Sequence, residues 1–415
     1  MNKKISLGAS ITLMLIVAIL TFCLTMVFSG DIFDKKVNSV KERELMYEKI
    51  AEIDTIVRNK YFGTIETDTL FNGLSKGYFL GLNDKYGEYF TEEEYKNYLS
   101  EQSGDSVSIG VSTVKESSGY LKVIDVQENS PAQASGIIVG DLIISVDGTA
   151  VTKDNATQLI KSFKNKAGTS IEIIYRRDGV DTPVTIIRKQ FEVKTVFSEL
   201  HEKTGYIKIT EFTAKTENQF KMAVDELVVK GVTGFIFDVR DNEIGTIEYV
   251  SKVIDYLLPE GNIAIAEYKD GKTEVLTKSS PSAIDLPMVV LVNKNTKSAA
   301  ELFAASIKDY QKGKIIGEVT AGKGVVQEMI KLKDGSAINL TVAKLNPPKS
   351  VNYDGVGITP DFSQTLGTDQ NIHDLTFETD PQIKKAREVL YSNITPEDNT
   401  ISSSEGSAEV TQQVQ

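Results

Sequence analysis

The sequence is poor in the residues that build metal and cofactor sites. Its 415 residues include one cysteine, two histidines and no tryptophan. The lone Cys23 excludes an internal disulfide framework and any cysteine-rich metal site. Neither His201 nor His373 stands in an arrangement with Asp or Glu that suggests a catalytic triad. We therefore expect no metal and no organic cofactor, and we look for reactive groups among the serines and lysines.

Positive charge is also scarce. The chain has 46 Lys and Arg against 58 Asp and Glu, which gives a net charge of −12 at pH 7. No stretch interleaves basic with aromatic residues, and an acidic chain repels a phosphate backbone. These features argue against nucleic acid as a partner, and the length allows two or three domains.

A long run without charged residues lies near the N-terminus. Residues 5–28 contain none, which exceeds the roughly 20 apolar residues needed to cross a bilayer. Lys3 and Lys4 precede the run, so the positive-inside rule exports the rest of the chain. We predict that residues 1–30 are a transmembrane anchor or a signal, in a single-pass cell-membrane protein with extracytoplasmic domains. A cleaved signal peptide ending near Ser29 remains the alternative.

The segments before and after the main domains differ in the spacing of their apolar residues and in their composition. Apolar residues recur at helical spacing in residues 31–104, which predicts a helical N-terminal region behind the membrane segment. Thr91 followed by Glu94 predicts a capping box for one of its helices. Residues 392–415 are rich in Ser, Thr, Glu and Gln, which predicts a disordered tail.

The most informative stretch is residues 288–327. An unbroken apolar run, Met-Val-Val-Leu-Val, predicts a buried strand, and apolar residues at helical spacing after it predict a helix. Ser298 stands between the two, where unpaired N–H groups and the helix dipole can stabilise a developing oxyanion. Without a suitable histidine, Lys323 is the better candidate for a base, and Gln327 follows closely enough to orient its amine.

Two simpler interpretations of this stretch remain open. Ser298 followed by Glu301 also fits a helix N-cap with a capping box. Residues 317–324 nearly match a phosphate-binding loop, but that motif needs Ser or Thr after the lysine to hold magnesium, and Gly324 has no hydroxyl. Strand-like sequence follows instead of a helix, which argues against nucleotide binding.

Two motifs in this order resemble the carboxy-terminal processing, or tail-specific, serine proteases. Residues 293–301 read Asn-Lys-Asn-Thr-Lys-Ser-Ala-Ala-Glu where the family has Asn-x-x-Ser-Ala-Ser-Ala-Ser-Glu. Residues 322–327 read Gly-Lys-Gly-Val-Val-Gln where the family has Gly-Lys-Gly-x-x-Gln. The resemblance implies that Ser298 is the nucleophile, Lys323 the general base and Gln327 the residue that orients the lysine.

A second resemblance covers residues 105–190, which look like a PDZ domain. Its clearest segments are Ser-Pro-Ala-Gln-Ala-Ser-Gly-Ile from residue 130 and Gly-Asp-Leu-Ile-Ile-Ser-Val-Asp-Gly from residue 140. Such domains capture peptide C-termini through the backbone N–H groups of a glycine-containing loop and by strand addition. A small β-domain with these side chains in its core is the alternative. The residues expected to bind a peptide are Ile109, Gly110, Val111, Leu159 and Phe163.

Residues 191–391 alternate apolar strands with amphipathic helices, which favours a layered α/β core, and the resemblance makes this the protease core with an inserted PDZ domain. One predicted helix carries Phe220, Val224, Leu227 and Val228 on one face, and the next carries Val250, Val253, Ile254 and Leu257. Asp334-Gly335 predicts a hairpin between residues 326–332 and 337–343. The resemblance implies that this core is crotonase-like. It also implies that Arg177 couples the PDZ domain to the core, although a solvated strand-end charge is an equally simple interpretation.

In the family, the region corresponding to residues 31–104 often mediates dimerisation. A homodimer is therefore one expected assembly, and a helical spacer without a dimer contact is the alternative.

One segment departs from the family. Residues 238–245 read Asp-Val-Arg-Asp-Asn-Glu-Ile-Gly where the family has Asp-Leu-Arg-x-Asn-Pro-Gly-Gly. The resemblance implies that an N–H here and the N–H after the serine hold the oxyanion, which points to Gly245 and Ala299. A β-branched Ile244 tolerates positive φ badly, so the donor is misaimed if the loop needs that conformation. Glu243 could also bring a negative charge near the oxyanion.

Together, the sequence patterns and the family resemblance imply an extracytoplasmic serine endopeptidase that cleaves exported or membrane-associated proteins by a Ser/Lys dyad. Its PDZ domain would recognise substrate C-termini. The expected partners are a protein or peptide substrate and the membrane. The alternative function is that of a catalytically impaired or inactive relative that acts as a peptide-binding scaffold.

Overall fold

The computed structural model describes residues 7–281, 284–367 and 370–392 of the chain. The predicted tail at 392–415 therefore lies almost wholly outside the described residues, as does the start of the predicted membrane segment at Lys3, Lys4 and Ile5. The chain divides into two compact units, of which the first ends at Tyr78 and the second begins at Phe79.

The described part of the first unit contains helices and no strand, and helices also occur in the second unit. The α-helices of the described residues are, in chain order, α1 (Leu7–Lys60), α2 (Thr67–Gly81), α3 (Glu92–Gln102), α4 (Pro131–Ala134), α5 (Ala156–Ser162), α6 (Thr216–Val229), α7 (Ile247–Leu257), α8 (Ala299–Asp309) and α9 (Pro381–Tyr391). Within the described ranges, none of them has both the length and the hydropathy of a membrane span. The predicted transmembrane segment is thus not supported by the described helices.

The second unit contains all of the described strands. They are β1 (Glu88–Phe90), β2 (Asp105–Ser108), β3 (Val111–Lys115), β4 (Leu121–Val126), β5 (Leu142–Val146), β6 (Thr149–Ala150), β7 (Ser170–Arg177), β8 (Val180–Ile187), β9 (Lys189–Glu192), β10 (Val196–His201), β11 (Thr204–Ile209), β12 (Glu211–Phe212), β13 (Gly234–Asp238), β14 (Ile244–Gly245), β15 (Gly261–Tyr268), β16 (Thr273–Ser279), β17 (Met288–Val292), β18 (Gly313–Gly317), β19 (Val325–Lys331), β20 (Ala337–Asn346) and β21 (Phe362–Ser363).

A mainly parallel sheet forms the centre of the core. Its strand order is β10-β11-β13-β17-β18-β21, and all pairs are parallel except β10 with β11. Every residue of β13 and β17 is buried, as expected for parallel strands covered on both faces. Helices α6, α7 and α8 pack on one face and α9 on the other, which gives the layered α/β arrangement that the sequence predicts.

The predicted amphipathic faces are mostly confirmed. Val250, Val253, Ile254 and Leu257 of α7 are all buried. In α6, Phe220, Val224 and Leu227 are buried, but Val228 is 42% exposed. Val228 follows Leu227 by one residue, and neighbouring positions on a helix point about 100° apart. The assignment of Val228 to the buried face was therefore wrong.

A second sheet packs against helices α7 and α8 and carries the predicted hairpin. Strands β19 and β20 pair antiparallel, with Lys331 opposite Ala337 at the turn. The order of this sheet is β1-β20-β15-β16, with β19 on the other side of β20. Strand β1 comes from the region before the PDZ-like segment, and the predicted capping box of Thr91 and Glu94 begins the helix that follows it.

The PDZ-like segment has its own sheet and core. Strands β3-β4-β5-β7-β8 form an antiparallel sheet, with β6 against β5, and helices α4 and α5 close its core. Strands β2 and β9 pair with each other where the chain enters and leaves this segment, Asp105 lying opposite Glu192. The segment is therefore inserted between β1 and the strands of the core.

Candidate functional site

Ser298 occupies the sharp turn between β17 and α8. Its backbone has φ +54° and ψ −109°, although a positive φ is uncommon outside glycine and costs on the order of 1–3 kcal/mol. The surroundings hold this conformation, since β17 is wholly buried and so are the first nine residues of α8, Ala299 to Ile307. The half-buried Ser298 side chain thus stands at a helix N-terminus, where negative charge is stabilised.

The fully buried Glu301 connects this turn to the segment that carries Lys323. One carboxylate oxygen, Oε2, accepts the Ser298 N–H at 2.9 Å and the Lys323 N–H at 2.8 Å. The other oxygen, Oε1, accepts the Gly322 N–H at 2.7 Å and the Thr320 hydroxyl. A single carboxylate therefore fixes the backbone of both predicted reactive residues relative to each other.

Sequence reasoning assigned Glu301 only a local role. The capping-box pattern correctly gave its bond to the Ser298 N–H, which lies three residues away. The bonds to Gly322 and Lys323 span 21 and 22 residues and follow from no local pattern. The available signal was the glycine on each side of Lys323, which marks a tight backbone turn whose N–H groups need an acceptor.

Lys323 lies between β18 and β19 with its side chain half-buried. Burial lowers the pKa of its amine below the usual range, and the positive charge of Lys297 acts in the same direction. The carboxylates of Asp84, Glu88 and Glu301 act in the opposite direction. Among the ion pairs of the described residues, none includes Lys323, so burial is not offset by a direct counter-ion and the amine is held towards its neutral form.

Tyr86 is the neighbour of Lys323 that the sequence did not predict. The Lys323 Nζ atom lies 5.2 Å from the centroid of the Tyr86 ring. The Tyr86 hydroxyl donates to the Gly322 carbonyl at 3.0 Å. Asp84 supports this position, because its carboxylate accepts the Tyr86 N–H at 3.0 Å and the Thr341 hydroxyl at 3.2 Å. Residues 82–90 thus form one wall of the candidate site.

Gln327 lies on β19 near Lys323 but does not contact its amine. Its Nε2 donates to the Tyr86 carbonyl at 2.6 Å, and no hydrogen bond of the described residues joins its side chain to the Lys323 Nζ. The structure therefore gives Gln327 a different partner from the predicted one. This bond attaches residues 82–90 to β19.

The loop after β13 lies against the turn that carries Ser298. The Lys297 N–H donates to the Asn242 carbonyl at 3.0 Å. The Thr296 hydroxyl donates to the Val239 carbonyl at 2.9 Å. These bonds give the loop at residues 239–246 a fixed position beside the turn that carries Ser298.

The two predicted oxyanion residues come together at this loop. A Cβ atom on Gly245 would lie 2.9 Å from the Cβ of Ala299 and 2.7 Å from that of Phe212, so only glycine fits there. The expected strain at Ile244 is absent, because Ile244 is extended in β14 and pairs with β12. The positive φ of the loop falls on Asp241 instead, at +59°, and aspartate tolerates this conformation.

Glu243 and Lys297 form an ion pair beside the site. Their Oε2 and Nζ atoms are 3.8 Å apart, and the Glu243 side chain is 55% exposed. The charge that was expected near the oxyanion is thus partly compensated. Both residues line a cavity of about 220 Å³, whose other lining residues are Lys85, Tyr86, Lys294, Asn295, Ala321 and Lys323.

The predicted peptide-binding loop is closed in this structure. Ile109 and Phe163 are buried in the core of the PDZ-like segment, and the Ile109 N–H donates to the Phe163 carbonyl at 3.3 Å. The Gly110 N–H donates to the Ser108 hydroxyl at 3.1 Å. Val111 and Leu159 pack against the same core and are only partly buried. Two of the expected carboxylate donors therefore already have internal acceptors.

Arg177 makes its polar contacts inside the PDZ-like segment. Its guanidinium forms a bidentate pair with the buried Asp141, both distances being 2.7 Å, and also donates to the Gly136 carbonyl at 2.8 Å. Asp141 in turn accepts the Ile138 N–H at 2.9 Å. Arg177 thus stabilises the turn around residues 136–141, and the structure does not bring it to Ser298 or Lys323.

Comparison with known proteins identifies both domains. A model of peptidase family S41 matches residues 203–364, and a PDZ domain model matches residues 107–187. The chain is 32% identical over 335 residues to the carboxy-terminal processing protease CtpA of Bacillus subtilis (strain 168), covering 80% of this chain and 72% of the relative. It is 30% identical over 364 residues to a "Probable CtpA-like serine protease" of Staphylococcus epidermidis, covering 87% and 74%. A solved structure from Bacteroides fragilis described as an S41 protease has the same fold, with a TM-score of 0.53 at 16% identity, and the match covers 80% of this chain and 91% of that one.

The bonds of Glu301 give a prediction about stability. Glu301→Gln replaces one acceptor oxygen by an NH₂ group that faces N–H donors, so at least one buried donor loses its acceptor. We expect the free energy of unfolding to fall by about 1–3 kcal/mol. Chemical denaturation measures this change, with the exposed Glu328→Gln as the matched control. Equal free energies of unfolding for the two variants would show that the hydrogen bonds of Glu301 do not contribute to stability.

Proposed function

This chain belongs to peptidase family S41, as a carboxy-terminal processing serine protease with a PDZ domain, and we propose that it cleaves peptide bonds with a dyad of Ser298 and Lys323. The cavity next to the Ser298 turn is lined by Lys297, the residue before Ser298, and by Lys323, and no histidine lines it. A lysine acts as a base only when neutral, and burial lowers the pKa of Lys323 in that direction.

The proposed reaction proceeds in two steps. Neutral Lys323 removes the proton from the Ser298 hydroxyl as its Oγ attacks the scissile carbonyl carbon, and the N–H groups of Ala299 and Gly245 stabilise the oxyanion. The C–N bond then breaks, the leaving amine takes the proton from Lys323, and an acyl-enzyme remains. Water attacks this ester with Lys323 again as base, which releases the acid product and restores Ser298.

The observation that carries this proposal is the shared carboxylate of Glu301. Its Oε2 atom accepts the backbone N–H of Ser298 and that of Lys323, which come from different elements. A serine used only as an N-cap requires no such link to a lysine. The link supports a pre-organised pair, because reacting groups must be held within a few tenths of an ångström for efficient transfer.

We expect Ser298→Ala and Lys323→Ala each to abolish proteolysis and to leave the fold intact. The two residues act as a unit, so the double variant should lose no more activity than either single variant. Cleavage of an unstructured exported protein with an apolar C-terminus measures the rate, and circular dichroism checks the fold. Full activity in either variant would contradict the dyad.

A sharper form of this test uses Lys297, which lowers the Lys323 pKa by its charge. Lys297→Gln removes that charge and leaves Glu243 unpaired, and both changes raise the Lys323 pKa. Less of the base is then neutral at a given pH, so the rising limb of kcat/KM against pH moves to higher pH. Lys269→Gln, a change at an exposed lysine in the β15–β16 turn, is the control and should leave the profile unchanged.

The scaffold interpretation is the second candidate function. It derives from the departure at Glu243 and Ile244, which we expected to disturb the oxyanion loop. The extended conformation of Ile244 and the Glu243–Lys297 pair both weaken that argument. If purified wild type and Ser298→Ala release the same background of product, the scaffold role replaces the protease role for this chain.

We further propose that the PDZ domain recognises substrate C-termini through Ile109, Gly110, Val111, Leu159 and Phe163. Their arrangement around one core supports the proposal. Because the Ile109 N–H bonds to Phe163 in this structure, a terminal carboxylate has to displace that bond. Coupling through Arg177 likewise requires it to exchange its bond to Asp141 for one to the core.

The PDZ proposal predicts that amidation of a peptide's terminal carboxylate weakens binding. Each charge-assisted hydrogen bond lost is worth roughly 1.5–3 kcal/mol, so the Kd should rise by at least about tenfold. Titration calorimetry with a matched pair of acid and amide peptides measures the difference, using the Ser298→Ala protein to prevent cleavage. Equal affinities would exclude carboxylate capture.

We also propose that the protein is attached to the membrane and forms a homodimer. The uncharged run at 5–28 supports a membrane-attached protein whose domains lie outside the cytoplasm. Exposed apolar side chains on α1 and α2, among them Ile53 and Phe71, support a homodimer through the helical region. The crotonase type of the core is proposed on the parallel sheet with helices on both faces.

These proposals predict that alkaline carbonate leaves the protein in the membrane fraction and that detergent extracts it as a dimer. Protease added to cells without their wall should degrade it, whereas a cytoplasmic marker protein should survive. Sedimentation of the extract measures the oligomeric state. Release of a soluble form that begins near Gly30 would instead identify the segment as a cleaved signal.

A further inference from the structure

We infer that the cavity lined by Lys297, which precedes Ser298 in the chain, and by Lys323 is a specificity site for an acidic side chain of the substrate, close to the bond that is cleaved. This inference rests on the proposed protease function and adds the substrate class to it. It concerns the cavity lined by Lys85, Lys294, Lys297 and Lys323, together with Tyr86, Glu243, Asn295 and Ala321, here called the lysine cavity.

The charge of the lysine cavity is opposite to that of the whole chain. Three charged lysines and one glutamate line it together with Lys323, whose amine is held towards its neutral form, although the net charge of the chain is −12. Its volume of about 220 Å³ lies below the roughly 300–1,000 Å³ of pockets for drug-sized ligands. A cavity of this size and charge suits one short anionic group, such as the carboxylate of Asp or Glu.

The lysines of the cavity are available to such a group. Lys85 and Lys294 are exposed, and neither forms an ion pair within the described residues. Of the carboxylates that act on the Lys323 amine, Asp84 and Glu301 are bonded elsewhere, and Glu88 is exposed. Asp84 accepts the Thr341 hydroxyl and the Tyr86 N–H, while Glu301 is buried behind the Ser298 turn. An incoming carboxylate therefore meets Lys85 and Lys294, whose charges no ion pair of the described residues neutralises.

The side chain of Glu243 already places a carboxylate in the lysine cavity. Its Oε2 atom lies 3.8 Å from the Lys297 Nζ, which is long for a hydrogen-bonded pair, and the Glu243 side chain is 55% exposed. An exposed pair of this kind is worth only about 0–1 kcal/mol, so a substrate carboxylate can displace it. Positions 243 and 297 are also where this chain has Glu and Lys in place of the proline and alanine of the family motifs.

The experiment compares peptides that differ only by Glu or Gln, placed in turn at successive positions on either side of the scissile bond. All carry an amidated C-terminus, and one Gln peptide is also made with a free C-terminal carboxylate. At one position we expect kcat/KM of the Glu peptide to exceed that of the Gln peptide by about 5- to 20-fold, mainly through KM. The ratio should fall towards one in about 0.5 M NaCl, because salt screens exposed charges.

Substitutions of the cavity lysines test whether the preference for Glu over Gln peptides arises from the lysine cavity. Lys85→Gln/Lys294→Gln should bring the Glu-to-Gln ratio near one, whereas Lys269→Gln removes the same type of charge elsewhere and should leave the ratio unchanged. Lys294→Glu should favour Gln over Glu. All of these positions are exposed, so the variants are expected to fold.

Several outcomes would overturn the inference. Equal cleavage of Glu and Gln peptides at every position excludes an acidic specificity site, and a ratio that survives in the double variant places it outside the lysine cavity. If the only peptide that the protein prefers is the Gln peptide with a free C-terminal carboxylate, the recognised group is the terminal carboxylate and not an acidic side chain. If no peptide is cleaved, the dyad fails, and binding to the Ser298→Ala protein still decides the inference, since Glu peptides must bind more tightly than Gln peptides.

Discussion

One buried carboxylate sets the geometry on which the rest of the site depends. Glu301 is fully buried, and removing a carboxylate from water is unfavourable unless several donors replace the lost hydration. Those donors come from the turn that carries Ser298 and from residues 320–323, so both segments must be correctly folded for Glu301 to be buried at all. The requirement for paired donors therefore couples the stability of the core to the alignment of Ser298 and Lys323.

The parts of the fold that local patterns specify were predictable. The apolar run of β17, the spacing of α7 and the Asp-Gly turn between β19 and β20 each depend on residues close in the chain. Ser298 was placed correctly between strand and helix for the same reason. The pairing of the two motifs came from the family resemblance, because no spacing rule brings Ser298 to Lys323.

The parts that were missed depend on contacts between distant segments. Tyr86 reaches Gly322 across 236 residues, and nothing in residues 82–90 alone indicates that contact. Gln327 bonds to the Tyr86 carbonyl for the same reason. The loop at 238–245 was misjudged because its positive φ was assigned to the position of the family's glycine, whereas the strand pairing of β12 with β14 extends Ile244 and leaves the turn to Asp241.

The wall formed by residues 82–90 has a consequence for the order of events during synthesis. Strand β1 pairs with β20, whose residues are made long after those of β1 and of the whole PDZ domain. Contacts of such high sequence separation form late in folding. Tyr86 therefore remains without its Gly322 partner until most of the chain has left the ribosome, and a nascent or truncated chain has no complete site. The order of its segments thus delays activity until the protein is finished.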